Sequence, residues 1–127
     1  MFNKETQKTA IIDFEFCGWG PGAVDLCTMM WTVGLELRKA NEKNFLIKYH
    51  DALIASGKVD PEVMTLEKVT DDYIKFFVPR AVQVLFLLPS ILPSSSVDSC
   101  VENLANFIEE KGITVDNVAQ PYYQYPK

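Results

Sequence analysis

Two carboxylates on either side of a Gly/Pro-rich turn constrain this sequence more than any other feature. The stretch Thr9–Phe16 is β-branched and aromatic and contains Asp13, and residues 18–22 read Gly-Trp-Gly-Pro-Gly. Such residues favour a strand, whereas closely spaced Gly and Pro favour a chain reversal. Asp25 then opens a segment with helical apolar spacing. The sequence therefore predicts a strand–turn–helix unit with an acid on each arm, which is the layout of a metal–phosphate site.

The first sixteen residues predict a β-hairpin. Met1-Phe2 would begin one strand, the polar segment 4–8 would reverse the chain, and 9–16 would form the second strand. Because side chains alternate along a strand, Asp13 and Glu15 would project from the same face. A two-stranded sheet is marginally stable alone, so we expect this hairpin to lie against helices.

Apolar spacing and end signals predict four helices after the turn at 17–24. The first spans about 25–39, with Leu26, Met30, Val33 and Leu37 on one apolar stripe. The second spans about 42–56 and should end at Gly57 as a left-handed terminator. Thr65 should cap the third, in which Val69, Tyr73 and Phe77 recur at helical spacing and which Pro79 should kink or restart. Residues 94–96 should start the fourth. We therefore expect a single domain, 1–127, of class α+β: mainly α, with a short N-terminal hairpin. Its helical bundle would span 25–112, and 113–127 would form an irregular tail.

Composition and charge narrow the class of protein. A net charge of −5 and scattered Lys and Arg argue against nucleic acid as a partner. Three cysteines without paired metal-ligand spacing predict reduced thiols and a cytoplasmic location. The longest apolar run, 81–92, is interrupted by Gln83 and Pro89 and is shorter than the ~20 residues of a membrane helix. We expect no membrane partner.

The segments Ile12-Asp-Phe-Glu-Phe16 and Gly18-Trp-Gly-Pro-Gly-Ala-Val-Asp-Leu26 resemble the aminoglycoside phosphotransferase and choline kinase-like superfamily, which has the protein-kinase fold. The resemblance implies that Asp13 binds the Mg²⁺ that bridges the phosphates of ATP. It also implies that Asp25 has a structural role, holding the backbone of a catalytic loop. The chain would then be the C-terminal part of the large lobe.

The same resemblance implies that catalytic parts are missing from these residues. The opening, Met1-Phe-Asn-Lys-Glu-Thr6, looks like the segment that follows the Asn of the family's His-Gly-Asp-x-x-x-x-Asn loop. The sequence has no such loop, no Gly-rich phosphate loop and no strand Lys that would pair with a helix Glu. We therefore expect no catalytic residue in this chain, an upstream kinase-like region in the complete protein, and no activity from these residues alone. The complete protein would transfer phosphate from ATP to a small-molecule alcohol.

Ordinary explanations compete with each assignment. Asp13 could solubilise a loop, and Glu15 could join it at the metal or face water or substrate. Asp25 could be a simple N-cap. Trp19 could line a substrate pocket or pack the hairpin onto the first helix, and His50 is expected at the surface. Two further functions stay open: a non-catalytic pseudokinase-like module and a helical interaction module.

Overall fold

The computed structural model describes residues 2–9, 22–86 and 93–118, and most of these lie in helices. The helices are α1 (Ala23–Thr32), α2 (Leu35–Ala55), α3 (Leu66–Leu85), α4 (Ser94–Glu110) and the single turn α5 (Val115–Val118). Two short strands, β1 (Phe2–Asn3) and β2 (Lys8–Thr9), form an antiparallel ladder before them. The turn α5 falls in the segment that was expected to be irregular.

The predicted α+β class is wrong, because the described chain is a helical bundle. Every residue of its hydrophobic core lies on α1, α2, α3 or α4. In the described residues, strand pairing is limited to Phe2 opposite Thr9 and Asn3 opposite Lys8. Two residues on each side are too few to form the hairpin layer that the sequence predicted. The rest of the predicted second strand, 10–16, lies outside the described residues.

A glycine corner divides the first predicted helix. Gly34 has φ 84° and ψ 160°, a conformation that is essentially restricted to glycine. The chain therefore leaves α1 at Thr32 and restarts as α2 at Leu35, instead of continuing to residue 39. Val33 and Leu37 were expected on the buried stripe of that helix, but both are exposed because the corner changes the direction of the chain.

The third helix begins as predicted. The Thr65 hydroxyl accepts a hydrogen bond from the Lys68 amide at 3.1 Å, which confirms the N-cap. The helix then continues through Pro79 to Leu85 without a restart. Burial of Phe77, Val78 and Ala81 around the proline holds this turn in place although proline donates no backbone hydrogen bond.

Aromatic rings join α3 to α4 in the centre of the bundle. Phe77 and Phe107 are stacked with their ring centroids 3.7 Å apart, and Tyr73 meets both rings edge-on. Trp31 of α1 is fully buried, and its indole Nε1 donates to the Cys100 carbonyl at 2.9 Å. These contacts fix α1, α3 and α4 against one another. In the described part of the chain, no helix has the length and apolar character needed to cross a bilayer.

Candidate functional site

Three of the predicted site residues lie outside the described residues. These are Asp13, Glu15 and Trp19, which all fall within 10–21. Their assignment to a metal and a substrate pocket therefore stays a prediction. Within 2–9, 22–86 and 93–118, no group of three or more His, Cys, Asp or Glu side chains is arranged to hold a metal ion.

Asp25 is described, and it lies inside the first turn of α1. The residue at the N-cap is Gly22, which makes no side-chain capping bond, so the alternative of Asp25 as a simple N-cap is wrong. Its carboxylate is exposed, and its position near a helix N-terminus is favourable because the helix dipole is positive there. Asp25 is therefore the third residue of α1, and the predicted Gly/Pro turn before Gly22 lies outside the described residues.

Tyr49 of α2 packs against the start of α1. Its hydroxyl lies so close to Gly22 that a Cβ at that position would overlap with it. Burial raises the pKa of Tyr49, and the nearby Asp25 charge raises it further. The phenol is therefore a neutral hydrogen-bonding group beside Gly22, and any larger residue at position 22 would require the Tyr49 side chain to move.

Arg80 of α3 places a positive charge near the start of α1. The Arg80 guanidinium of α3 donates from Nε to the Thr28 hydroxyl at 2.8 Å, one turn along α1 from Asp25. Between them, Cys27 is fully buried and donates from Sγ to the Tyr73 carbonyl. Burial raises the pKa of this thiol to about 12, so Cys27 is a structural group and a poor nucleophile. The start of α1 thus presents one carboxylate, one phenol and one guanidinium around the buried, unreactive thiol of Cys27.

A second polar cluster, which the sequence analysis missed, is centred on Arg38 of α2. The Arg38 side chain is fully buried and lies over the Phe107 ring, 5.1 Å from its centroid. Its guanidinium donates to Asn103 at 2.7 Å, to Asn106 at 2.9 Å and to Glu110 at 3.0 Å. These bonds join α2 to α4.

Asn103 connects the Arg38 cluster to α1 by hydrogen bonds. Its amide nitrogen donates to the carbonyls of Met30 and Trp31 at 3.0 and 2.8 Å, near the end of that helix. Those carbonyls belong to the last turn, where a helix has no internal donors for them. One buried asparagine therefore satisfies the end of α1 and accepts from Arg38 at the same time.

The charges of the cluster are balanced. Glu42 contacts Arg38, and Lys111 donates to Glu42 at 3.2 Å and to Glu110 at 2.8 Å. The hydrogen bond from Lys111, and then that from Arg38, lowers the pKa of Glu110 below its ordinary value. Two cations paired with two carboxylates leave no group poised for proton transfer, so this cluster is structural.

His50 is partly buried, whereas it was expected at the surface. Its Nε2 lies 3.1 Å from the Met64 carbonyl, in the connection between α2 and α3. Its Nδ1 lies 3.6 Å from the carboxylate of Asp51. These contacts hold the connection against α2 and give His50 a structural position.

The fold and the described site define a helical-bundle domain with an acidic residue at the start of its first helix. The chain belongs to the family described as "Uncharacterized oxidoreductase dhs-27", whose model matches residues 1–119. Comparison with curated proteins gave no match, and comparison with solved structures gave none either.

Proposed function

We propose that this chain is part of a small-molecule phosphotransferase, with Asp13 as a ligand of the Mg²⁺ that bridges the phosphates of ATP. One observation carries the proposal: the Asp-Phe-Glu segment, the Gly/Pro-rich segment and the Asp-Leu pair follow one another in the sequence in the order of the aminoglycoside phosphotransferase and choline kinase-like superfamily. The helix α1 begins at Ala23, directly after the Gly/Pro-rich segment of the sequence, with Asp25 in its first turn. This is compatible with a carboxylate that supports a neighbouring loop.

The proposal assigns the chemistry to the complete protein. Phosphoryl transfer requires donor and acceptor in line and neutralisation of the charge on the transferred group. Mg²⁺ would supply part of that neutralisation, with Asp13 holding it and Glu15 as a second acid on the same strand. A base for the acceptor hydroxyl and a nucleotide loop would come from residues outside this sequence.

The word oxidoreductase in the family description belongs to the protein it names. A doubly wound dinucleotide fold needs a parallel sheet with helices on both faces. Strand pairing in the described residues is antiparallel and two residues long, so nothing in them favours this second function. A helical interaction module is the alternative that the metal experiment below separates from the phosphotransferase.

Paramagnetic broadening tests the metal site directly. We expect Mn²⁺ with ATP to broaden the NMR resonances at the start of α1 in the unmodified chain. Asp13→Asn should weaken that effect tenfold or more, because a carboxylate ligand is lost. The matched control is Asp71→Asn, an exposed acid on α3. Equal broadening in both variants would contradict the proposal and favour the interaction module.

A further inference from the structure

A groove between α2 and α3 lies apart from the start of α1. Its volume is about 330 Å³, which is within the range of small-ligand sites. The wall is mainly aliphatic, with Leu46 and Ile47 on α2 and Leu66 and Ile74 on α3. Such a wall favours a hydrocarbon chain.

The groove of about 330 Å³ also has a polar end, built around Tyr73. This side chain lines the groove and is fully buried, and its hydroxyl has no hydrogen-bond partner in the described residues. Burial raises the pKa of Tyr73, and the nearby Glu42 carboxylate raises it further, so the hydroxyl is a neutral donor at pH 7 for which Glu42 is a competing acceptor. A buried hydroxyl without a hydrogen-bond partner raises the free energy of the folded protein, so a ligand that accepts a hydrogen bond from it gains binding free energy.

Two lysines and one glutamate also line the groove. These are Lys43, Lys111 and Glu42, and Lys111 is in addition paired with Glu110 outside the groove lining. The Lys111 ammonium has three protons, and the structure gives it two carboxylate partners, Glu42 and Glu110. The ammonium can therefore donate one further hydrogen bond.

We propose that this groove binds a medium-chain aliphatic carboxylate. The hydrocarbon chain lies along Leu46, Ile47, Leu66 and Ile74, and the carboxylate accepts from Lys111 and Tyr73. A carboxylate fits better than an alcohol because two lysines line the site, and better than an amine because those lysines repel a cation. The site does not depend on Asp13 or on phosphoryl transfer.

A chain-length series tests the aliphatic part of the site. Butanoate, hexanoate and octanoate are titrated into the 127-residue chain by calorimetry, with octanol and octylamine as probes of the head group. Each added methylene should tighten binding by up to about fourfold, because about 0.8 kcal/mol is gained for each CH₂ buried. Affinity that is independent of chain length, or octanol bound as tightly as octanoate, would overturn the proposal.

Two substitutions test the polar end. Tyr73→Phe keeps the ring and removes the hydroxyl, and it should weaken octanoate binding about fivefold to tenfold. Lys111→Gln should weaken it tenfold or more, whereas Lys48→Gln, an exposed α2 lysine outside the groove, should leave it unchanged. Tyr73→Phe removes only an unpartnered polar atom, so it keeps the test valid if Lys111→Gln does not fold. Equal octanoate affinity in Tyr73→Phe and Lys48→Gln would exclude this mode of binding.

Discussion

Replacing Arg38 by methionine should be among the most damaging single changes in this chain. The substitution keeps an unbranched side chain over Phe107 but removes the guanidinium that bonds α2 to side chains of α4. Loss of one partner from a buried ion pair costs about 3–5 kcal/mol, and we take the low end because Lys111 still contacts Glu42 and Glu110. The Asn103 oxygen also loses its donor, which adds about 1 kcal/mol.

The expected loss is therefore about 4 kcal/mol of the free energy of unfolding, a large share of the 5–15 kcal/mol typical of a domain. Urea unfolding followed by circular dichroism at 222 nm measures it, since the midpoint should fall with an unchanged slope. Lys39→Met is the matched control, because this neighbouring side chain is exposed. A loss below about 1 kcal/mol for Arg38→Met, similar to that of the control, would refute the idea that the cluster holds α2 on α4.

Two further predictions concern the same helices. Because the folded pKa of Glu110 lies below its ordinary value of 4.5, its stabilising contribution is present above pH 4.5 and is lost as the pH falls through the folded value. Acid titration of unfolding should show a shallower fall for Glu110→Gln, and an unchanged profile would contradict the pairing. Gly34→Asn should cost about 1–3 kcal/mol, because φ 84° and ψ 160° suit only glycine. Gly57→Asn, at φ 65°, should cost less, since asparagine tolerates the left-handed region; equal losses in thermal unfolding would disprove this.

Local signals in the sequence predicted α3 well. The cap at Thr65 is confirmed, and the spacing of Val69, Tyr73 and Phe77 identified three residues that are buried in the bundle. The left-handed conformation of Gly57, after α2, is also confirmed. These features depend on neighbours within a turn or two of helix, so a single sequence contains the information.

The corner at Gly34 was missed because apolar residues continue in helical spacing on both sides of it. Leu26 and Met30 are buried as that spacing predicted, but Val33 and Leu37 are not. Glycine lowers helix propensity by only about 1 kcal/mol relative to alanine, which is too little to mark a break by itself. The break is decided by packing of α1 against the other helices.

The Arg38 cluster depends on contacts between residues far apart in sequence. Arg38 meets Asn103 across 65 positions, and apolar spacing gives no reason to bring them together. One signal was present: Asn103 lies between Cys100 and Phe107 on a stripe that is otherwise apolar and buried. A polar side chain on such a stripe requires a buried partner. Asp13, Glu15 and Trp19 remain predictions of the sequence.

The hydrogen bond from Cys27 to the Tyr73 carbonyl has a consequence for how the protein is made. Its two residues are 46 positions apart, and α1 packs chiefly against α3. During synthesis at about 5–20 residues per second, roughly 2–9 s pass between the appearance of the two residues. Through that interval, the apolar face of α1 around Trp31 has no α3 to cover it. A nascent chain is therefore most exposed to aggregation through this face before its third helix has left the ribosome.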